Sequence, residues 1–210
     1  MTRRLILVGG SAGSGKTTVA QALAGDLGAG WLQLDTVWIA MKAAAGRGSS
    51  AFSLLDVRGR MARGGDSDKE VLAAHVAASE ALCRVLPEVF EFELDTHSVL
   101  VADGAWLLPS FIVGLELPDT NVHCVFLQHA DVAGVAASLA PRLRGQPPQE
   151  RHLRMNRQIW QYGAWVCEQA RARDMCVIDS LPFATLTDRA RIAIAPELRQ
   201  QDPDLAQPES

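Results

Sequence analysis

Short apolar runs alternate along the chain with longer segments in which apolar residues recur at helical spacing. The first run, 5–8, leads through a glycine-rich turn into a helical pattern over 16–27, which Gly28 and Gly30 end. Four further apolar runs predict strands: 31–34, 98–102, 121–127 and 175–179. Because strands that alternate with helices favour a parallel sheet, we predict an α/β protein with five parallel strands.

Helical spacing predicts further helices between and after these strands: 37–42, 68–86, 132–139 and 186–195. His75 lies on the apolar side of the second of them, which indicates a packed core residue rather than a catalytic one. From Pro196 onward the sequence is polar. We therefore predict one domain over 1–195 and a flexible tail at 196–210.

The stretch Gly10–Thr17 has the spacing G-x-x-x-x-G-K-T between the first strand and the first helix. Glycines let the backbone curl until several N–H groups point inward, and the positive end of the helix dipole then favours a polyphosphate. Lys16 is predicted to contact the β- and γ-phosphates, and the Thr17 hydroxyl to ligate Mg²⁺. An ordinary glycine turn would leave both side chains unexplained. The predicted nucleotide-binding residues are Gly10, Ser11, Ala12, Gly13, Ser14, Gly15, Lys16, Thr17 and Thr18.

Two carboxylates follow predicted strands, Asp35 after the second and Asp103 after the third. Ligands of parallel sheets bind beyond the carboxyl ends of the strands, so we expect both side chains beside the phosphate loop. Asp35 is predicted to accept a proton from a hydroxyl nucleophile, and it or Thr36 also suits the N-cap of the next helix. Asp103 is predicted to hold Mg²⁺ with Thr17 in a Walker-B arrangement, or else to cap the following turn.

Basic residues concentrate in two segments, the first of which is 46–68. This segment is rich in Gly, Ser and Arg and is predicted to be a long loop within a substrate-binding insertion at about 42–86. Its arginines either bind an anionic substrate through bidentate hydrogen bonds or lie solvated on the surface. They are Arg47, Arg58, Arg60 and Arg63.

The second basic segment, at about 141–158, is predicted to be a hinged lid, with a solvated basic helix face as the alternative. Its arginines are Arg142, Arg144, Arg151, Arg154 and Arg157. The last three are spaced three residues apart and therefore share one sector of a helix. Arg142 and Arg151 are assigned to catalysis, where they would balance the charge of the transferring phosphoryl group when the lid closes and excludes water.

Composition narrows the classes of protein. A formal net charge of −4 argues against a nucleic-acid surface. No apolar window approaches the ~18 residues of a membrane span, and the first run is too short for a signal peptide. The four cysteines lack the spacing of a metal site, so buried reduced thiols are expected. We expect a cytoplasmic protein, monomeric or homodimeric, whose partners are a nucleotide and a small-molecule acceptor.

Four elements give the chain a resemblance to the small P-loop metabolite kinases, most of all to 2-phosphoglycerate kinase and its relatives. The elements are GGSAGSGKTT, LDTVWIAMK, DGAWLLP, and RHLRMNRQIWQYGAWVCEQA followed by VID. Asp103 stands where that family has Glu, Trp106 where it usually has His, and the 46–68 segment has no counterpart. Chloramphenicol phosphotransferase and zeta-toxin-type kinases share the same plan, so the acceptor stays open.

The resemblance implies a P-loop NTPase fold of the nucleoside-monophosphate-kinase-like type, with strand order 2-3-1-4-5 and a helical lid. It also implies transfer of the γ-phosphoryl group from ATP, with Mg²⁺, to a hydroxyl of a small molecule such as a phosphorylated acid or an antibiotic. Two alternatives are a nucleoside monophosphate kinase and a nucleotide-driven switch without a small-molecule acceptor. Intact Lys16, Thr17, Asp35 and Asp103 disfavour a module that has lost catalysis.

Overall fold

One parallel sheet organises the computed structural model, which describes residues 2–201 and the side chains of residues 2–194. Its strands are β1 (Arg3–Gly10), β2 (Gly30–Gln33), β3 (Val99–Asp103), β4 (Thr120–Gln128) and β5 (Cys176–Asp179). Their order across the sheet is β2-β3-β1-β4-β5, and each neighbouring pair is parallel. The predicted fold class and strand order are confirmed.

Helices connect and cover the strands. They are α1 (Lys16–Leu27), α2 (Leu34–Ala44), α3 (Ser50–Leu55), α4 (Val57–Arg63), α5 (Asp68–Cys83), α6 (Leu86–Thr96), α7 (Pro109–Val113), α8 (Val132–Leu139), α9 (Glu150–Arg171) and α10 (Leu186–Gln201). Short 3₁₀ turns cover Ala140–Leu143 and Phe183–Thr185. Within residues 2–201, no helix combines the length and the apolar character needed to cross a membrane.

The central strand β1 separates two apolar cores. Successive side chains of a strand point to opposite faces of the sheet. Leu5 and Leu7 accordingly pack with residues of α5, α6 and α9, whereas Ile6 and Val8 pack with residues of α1 and α10. All four side chains are fully buried. This double burial explains why the run 5–8 is uniformly apolar rather than alternating.

The segment 46–68 is not the long loop that its composition predicts. It folds into α3 and α4, and the Ser49 hydroxyl caps α3 by accepting a hydrogen bond from the Phe52 N–H at 2.9 Å. Leu55, Val57 and Met61 are buried in the core. Tertiary packing of these few apolar residues therefore stabilises helices whose local sequence, with its glycines and arginines, is weakly helical.

Two predicted helix ends are also wrong. The helix predicted over 68–86 ends at Cys83, and Pro87 lies in the first turn of a further helix, α6, that the prediction missed. Proline is tolerated there because the first N–H groups of a helix have no partner within the helix. At the other end of the chain, α10 continues past Ala195 to Gln201. The rest of the predicted tail, 202–210, lies outside the described residues.

The cysteines that pack in the core are reduced, as expected. Cys83 and Cys167 are buried thiols. Burial raises the pKa of Cys83 to about 11 and that of Cys167 to about 12, so both thiols stay protonated at neutral pH.

Candidate active site

The loop between β1 and α1 is shaped by glycines. Gly10, Gly13 and Gly15 have φ values of 126°, 81° and 89°, in the region that other residues rarely adopt. A side chain at Gly15 would also meet Leu186 Cδ2 at 2.6 Å. The curled backbone thus ends at the N-terminus of α1, which is the arrangement that binds phosphate groups.

Lys16 lies buried under this loop. Its Nζ donates a hydrogen bond to the backbone oxygen of Ser11 at 2.6 Å. Burial lowers the pKa of Lys16 to about 8, against the opposing effect of the nearby Asp103 and Asp35 carboxylates. The buried Oγ atoms of Ser11 and Ser14 have no hydrogen-bond partner among the described residues. A buried cation at a helix N-terminus beside the cleft fits a polyphosphate.

Asp103, at the end of β3, is buried, with 2% of its surface exposed. Its carboxylate accepts hydrogen bonds from Thr17 Oγ1 at 2.8 Å and from Trp31 Nε1 at 2.9 Å. Mg²⁺ is commonly held by one or two protein oxygens together with substrate phosphates and waters. The adjacent hydroxyl and carboxylate therefore fit the protein's share of a magnesium site, as predicted for Thr17 and Asp103.

Asp35 lies in the first turn of α2 and not at its N-cap, because the helix begins at Leu34 and Gln33 occupies the capping position. Its Oδ1 accepts a hydrogen bond from Trp106 Nε1 at 2.8 Å, and its Oδ2 accepts one from the Arg58 guanidinium at 2.7 Å. The predicted capping role of Asp35 is therefore wrong, and its carboxylate faces the loop after β3.

Stacked aromatic rings fix the donor that orients Asp35. The indole of Trp106 is buried and stacks on Trp38, with ring centroids 4.9 Å apart. His75 packs against the other rings, at 4.9 Å from Trp106 and at 3.6 Å and nearly parallel to Tyr162. Burial lowers the pKa of His75 to about 3, so the imidazole is neutral at physiological pH. His75 is a packed residue, in agreement with the prediction.

Two adjoining cavities open around these side chains. The first, here called the phosphate cleft, has a volume of about 430 Å³ and is bordered by Lys16, Asp35 and Asp103. The second, here called the apolar cavity, has a volume of about 890 Å³ and lies between α4, α8 and the start of α9. Residues that border both are Ala12, Arg58, Ala105 and Arg142. The cavities therefore adjoin each other beside the phosphate loop.

Of the predicted nucleotide-binding residues, most border the phosphate cleft directly. They are Ala12, Gly13, Gly15, Lys16, Thr17 and Thr18. Ser11 and Ser14 are buried behind the loop. Phe183, Leu186 and Thr187 also border the cleft.

The arginines fall into two groups. Arg58 and Arg142 border both cavities, whereas the exposed Arg151 points its Nε to His152 Nε2 at 3.3 Å and is not among the residues that border either cavity. Other arginines of the two basic segments form ion pairs with carboxylates: Arg60 with Asp66, Arg63 with Asp56 and Arg157 with Asp68. These three arginines are thus engaged by carboxylates and do not border either cavity.

The sheet has the strand order of the nucleoside-monophosphate-kinase-like P-loop fold. No protein-family model and no curated protein matches the sequence.

Solved structures of small-molecule kinases share this fold. An unliganded sugar kinase from Janibacter sp. HTCC2649 is 20% identical, with a TM-score of 0.53 over 93% of this chain and 95% of that one. A gluconokinase from Sinorhizobium meliloti 1021 is 19% identical, with a TM-score of 0.51 over 96% and 98%. A shikimate kinase from Bacteroides thetaiotaomicron is 16% identical, with a TM-score of 0.50 over 92% and 98%. At these identities the likeness establishes the fold.

Proposed function

We propose that this chain is an ATP- and Mg²⁺-dependent kinase that transfers the γ-phosphoryl group to a hydroxyl of a small molecule. One observation carries the proposal: a second, larger cavity adjoins the phosphate cleft at Arg58, whose guanidinium binds the Asp35 carboxylate. A kinase needs a separate compartment for its acceptor, whereas a nucleotide-driven switch does not. The shared fold with sugar, gluconate and shikimate kinases supports the same class of reaction.

Asp35 is the residue that we assign to the acceptor. Trp106 and Arg58 hold its carboxylate beside the junction of the two cavities, where it would orient the hydroxyl and accept its proton. The bond between the γ-phosphorus and its bridging oxygen breaks, the acceptor oxygen forms the new bond, ADP leaves, and the proton passes to Asp35. Positioning of this kind supplies much of the catalysis in phosphoryl transfer.

The other charged groups at the phosphate cleft would balance the negative charge of the nucleotide phosphates. Lys16, which is protonated below its pKa of about 8, and Arg142 would stabilise the negative charge on the phosphate oxygens. Thr17 and Asp103 would hold Mg²⁺, which would supply positive charge against the phosphates. Arg151 lies outside both cavities, so its predicted role requires the segment 141–158 to close. The nucleotide base would lie near Phe183.

The test is ATP consumption with Mg²⁺ across a panel of hydroxylated acceptors, with each product checked by mass for an added phosphoryl group. The panel includes 2-phosphoglycerate, gluconate, shikimate, nucleoside monophosphates and hydroxylated antibiotics. A product heavier by one phosphoryl group is expected. ATP hydrolysis that no acceptor alters would instead favour a switch. We place the enzyme in the cytoplasm, where ATP and such metabolites meet.

A further inference from the structure

The apolar cavity is large for a kinase acceptor. Its volume of about 890 Å³ lies near the upper end of the range of roughly 300–1,000 Å³ in which proteins bury drug-sized ligands. A three-carbon acid or a single sugar ring would fill only part of this space. With the segment 141–158 in the arrangement described above, the cavity has room for an acceptor with several rings or a long carbon skeleton.

Apolar side chains make up most of the cavity wall. They come from α4, from the loop after β3, from α8 and the segment behind it, and from α9. The main contributors are Val57, Met61, Trp106, Leu139, Leu143 and Ile159. A hydroxy acid pressed against this wall would lose hydrogen bonds to water without replacement, whereas a hydrocarbon skeleton would gain by leaving water.

The wall also offers few cations to an acidic acceptor. Among the described residues that border the apolar cavity, Arg58 and Arg142 are the only arginines or lysines. Arg58 is bound to Asp35 at 2.7 Å, and Arg142 also borders the phosphate cleft. His75 is neutral because burial lowers its pKa to about 3, and His152 accepts the Gln149 N–H at its Nδ1, 3.0 Å away.

Three arginines of the two basic segments are engaged by carboxylates outside the cavity. Arg60 binds Asp66 at 2.8 Å, Arg63 binds Asp56 at 2.9 Å and Arg157 binds Asp68 at 2.5 Å. None of these three side chains is among the described residues that border the apolar cavity. Recognition of a carboxylate or phosphate on the acceptor would require such a guanidinium, presented as a bidentate donor.

We propose that the acceptor is a neutral, mainly apolar alcohol of drug-like size, whose hydroxyl reaches Asp35 while its carbon skeleton fills the apolar cavity. That the acceptor carries a reacting hydroxyl rests on the proposed function. That it is mainly apolar rests on the cavity alone. This inference replaces the phosphorylated acid among the acceptors that the family resemblance suggests.

Leu153 marks the mouth of the cavity. It belongs to α9, borders the cavity and leaves 54% of its surface exposed. An apolar ligand seated in the cavity would cover this side chain. Leu153 is therefore the position at which a charge can be placed against the ligand with little effect on the protein core.

The experiment measures acceptor binding by calorimetry in the presence of Mg²⁺ and the non-hydrolysable analogue AMP-PNP, and phosphoryl transfer from ATP by mass. The apolar probes are estradiol, podophyllotoxin and 2-naphthylethanol, and the polar probes are gluconate, shikimate and 2-phosphoglycerate. The variants are Leu153→Glu and the matched control Phe92→Glu. Phe92 lies on α6, is 73% exposed and is not among the described residues that border either cavity.

We expect the apolar alcohols to bind the unchanged protein and Phe92→Glu equally, and to bind Leu153→Glu about tenfold more weakly because the new carboxylate would face the hydrocarbon. AMP-PNP should bind all three proteins alike. Tighter binding of the polar probes, no binding of the apolar ones, or equal binding of the apolar ones to both variants would overturn the inference.

The outcomes separate this inference from the proposed function. Suppose that Leu153→Glu weakens the binding of the alcohols as expected, but no alcohol gains a phosphoryl group. The inference that the cavity binds an apolar ligand is then supported, and the kinase proposal fails. If a hydroxy acid is phosphorylated with a higher kcat/KM than the alcohols, the kinase proposal stands and the inference fails.

Discussion

The phosphate cleft and the apolar cavity share part of their walls but are assembled in opposite ways. Six of the residues that border the cleft come from one contiguous stretch, 12–18, and its two carboxylates lie at a strand end or two residues beyond one. The cavity is built from residues far apart in the chain, from Ala12 to Ile159, that meet only in the folded protein. The comparison teaches that the reaction is encoded locally, whereas the choice of acceptor depends on tertiary packing.

The largest effect is expected in the cleft, from Asp35→Asn. Loss of the carboxylate that accepts the hydroxyl proton should lower kcat for phosphoryl transfer by about 10²–10⁴-fold, with the Kd of ATP unchanged. Steady-state kinetics with calorimetry of ATP binding checks both values. Asp26→Asn is the control, since Asp26 lies at the surface in an ion pair with Arg191. Near-normal turnover of Asp35→Asn, beside an inactive Asp103→Asn, would reverse the assigned roles.

A pH titration tests how much the positive charge of Lys16 contributes to nucleotide binding in the phosphate cleft. Lys16 loses its proton near pH 8 in the free protein, well below the ordinary value of 10.5, so its attraction for phosphate should fall as the pH rises. We expect the Kd of ATP to increase about tenfold between pH 7 and pH 9. In Lys16→Arg the guanidinium stays charged, so the Kd of ATP should stay constant between pH 7 and pH 9. A profile of equal slope in both proteins would assign the titration to another group.

Trp106→Phe tests the hydrogen-bond donor that the wall of the apolar cavity supplies to Asp35. The variant keeps an aromatic ring but removes the Nε1 donor to Asp35, and we expect kcat to fall by about tenfold or less, since one hydrogen bond is lost. The matched control is Trp38→Phe, whose Nε1 donates to the backbone oxygen of Leu55 instead. Equal losses in the two variants would mean that the ring stack, and not the hydrogen bond, positions the carboxylate.

The smallest effect is expected from a substitution outside both the phosphate cleft and the apolar cavity. Arg157→Gln breaks the exposed ion pair with Asp68 on the far part of the basic segment. Exposed ion pairs contribute little, so thermal unfolding should show a Tm within about 2 °C of the unchanged protein, with the same kcat. A large loss of kcat would show that Arg157 leaves Asp68 during turnover, as the lid prediction for this helix implies.

The sequence predicts the cleft well because its residues follow local rules. Apolar runs mark the strands, the spacing of Gly10, Gly15 and Lys16 marks the loop, and parallel strands bring Asp35 and Asp103 to one edge of the sheet. These predictions need no knowledge of contacts between distant segments.

The parts that the sequence does not predict depend on such contacts. The donors to the two carboxylates are Trp106, which is 71 residues from Asp35, and Trp31, which is 72 residues from Asp103. No local pattern marks an indole as a hydrogen-bond donor to a remote acid. Likewise α3 and α4 form because Leu55 and Val57 are buried by other elements, while the surrounding glycines and arginines favour a loop.

The close contact between α9 and the phosphate loop connects the phosphate cleft with the apolar cavity. A side chain at Gly163 would meet Ser11 Oγ at 2.6 Å, so this helix lies directly against the loop. Its earlier turns border the apolar cavity. A shift of α9 when a ligand fills the apolar cavity would therefore move the phosphate loop. We expect the two substrates to bind cooperatively. Thermodynamic reciprocity then requires that the nucleotide change the affinity for the acceptor by the same factor as the acceptor changes that for the nucleotide.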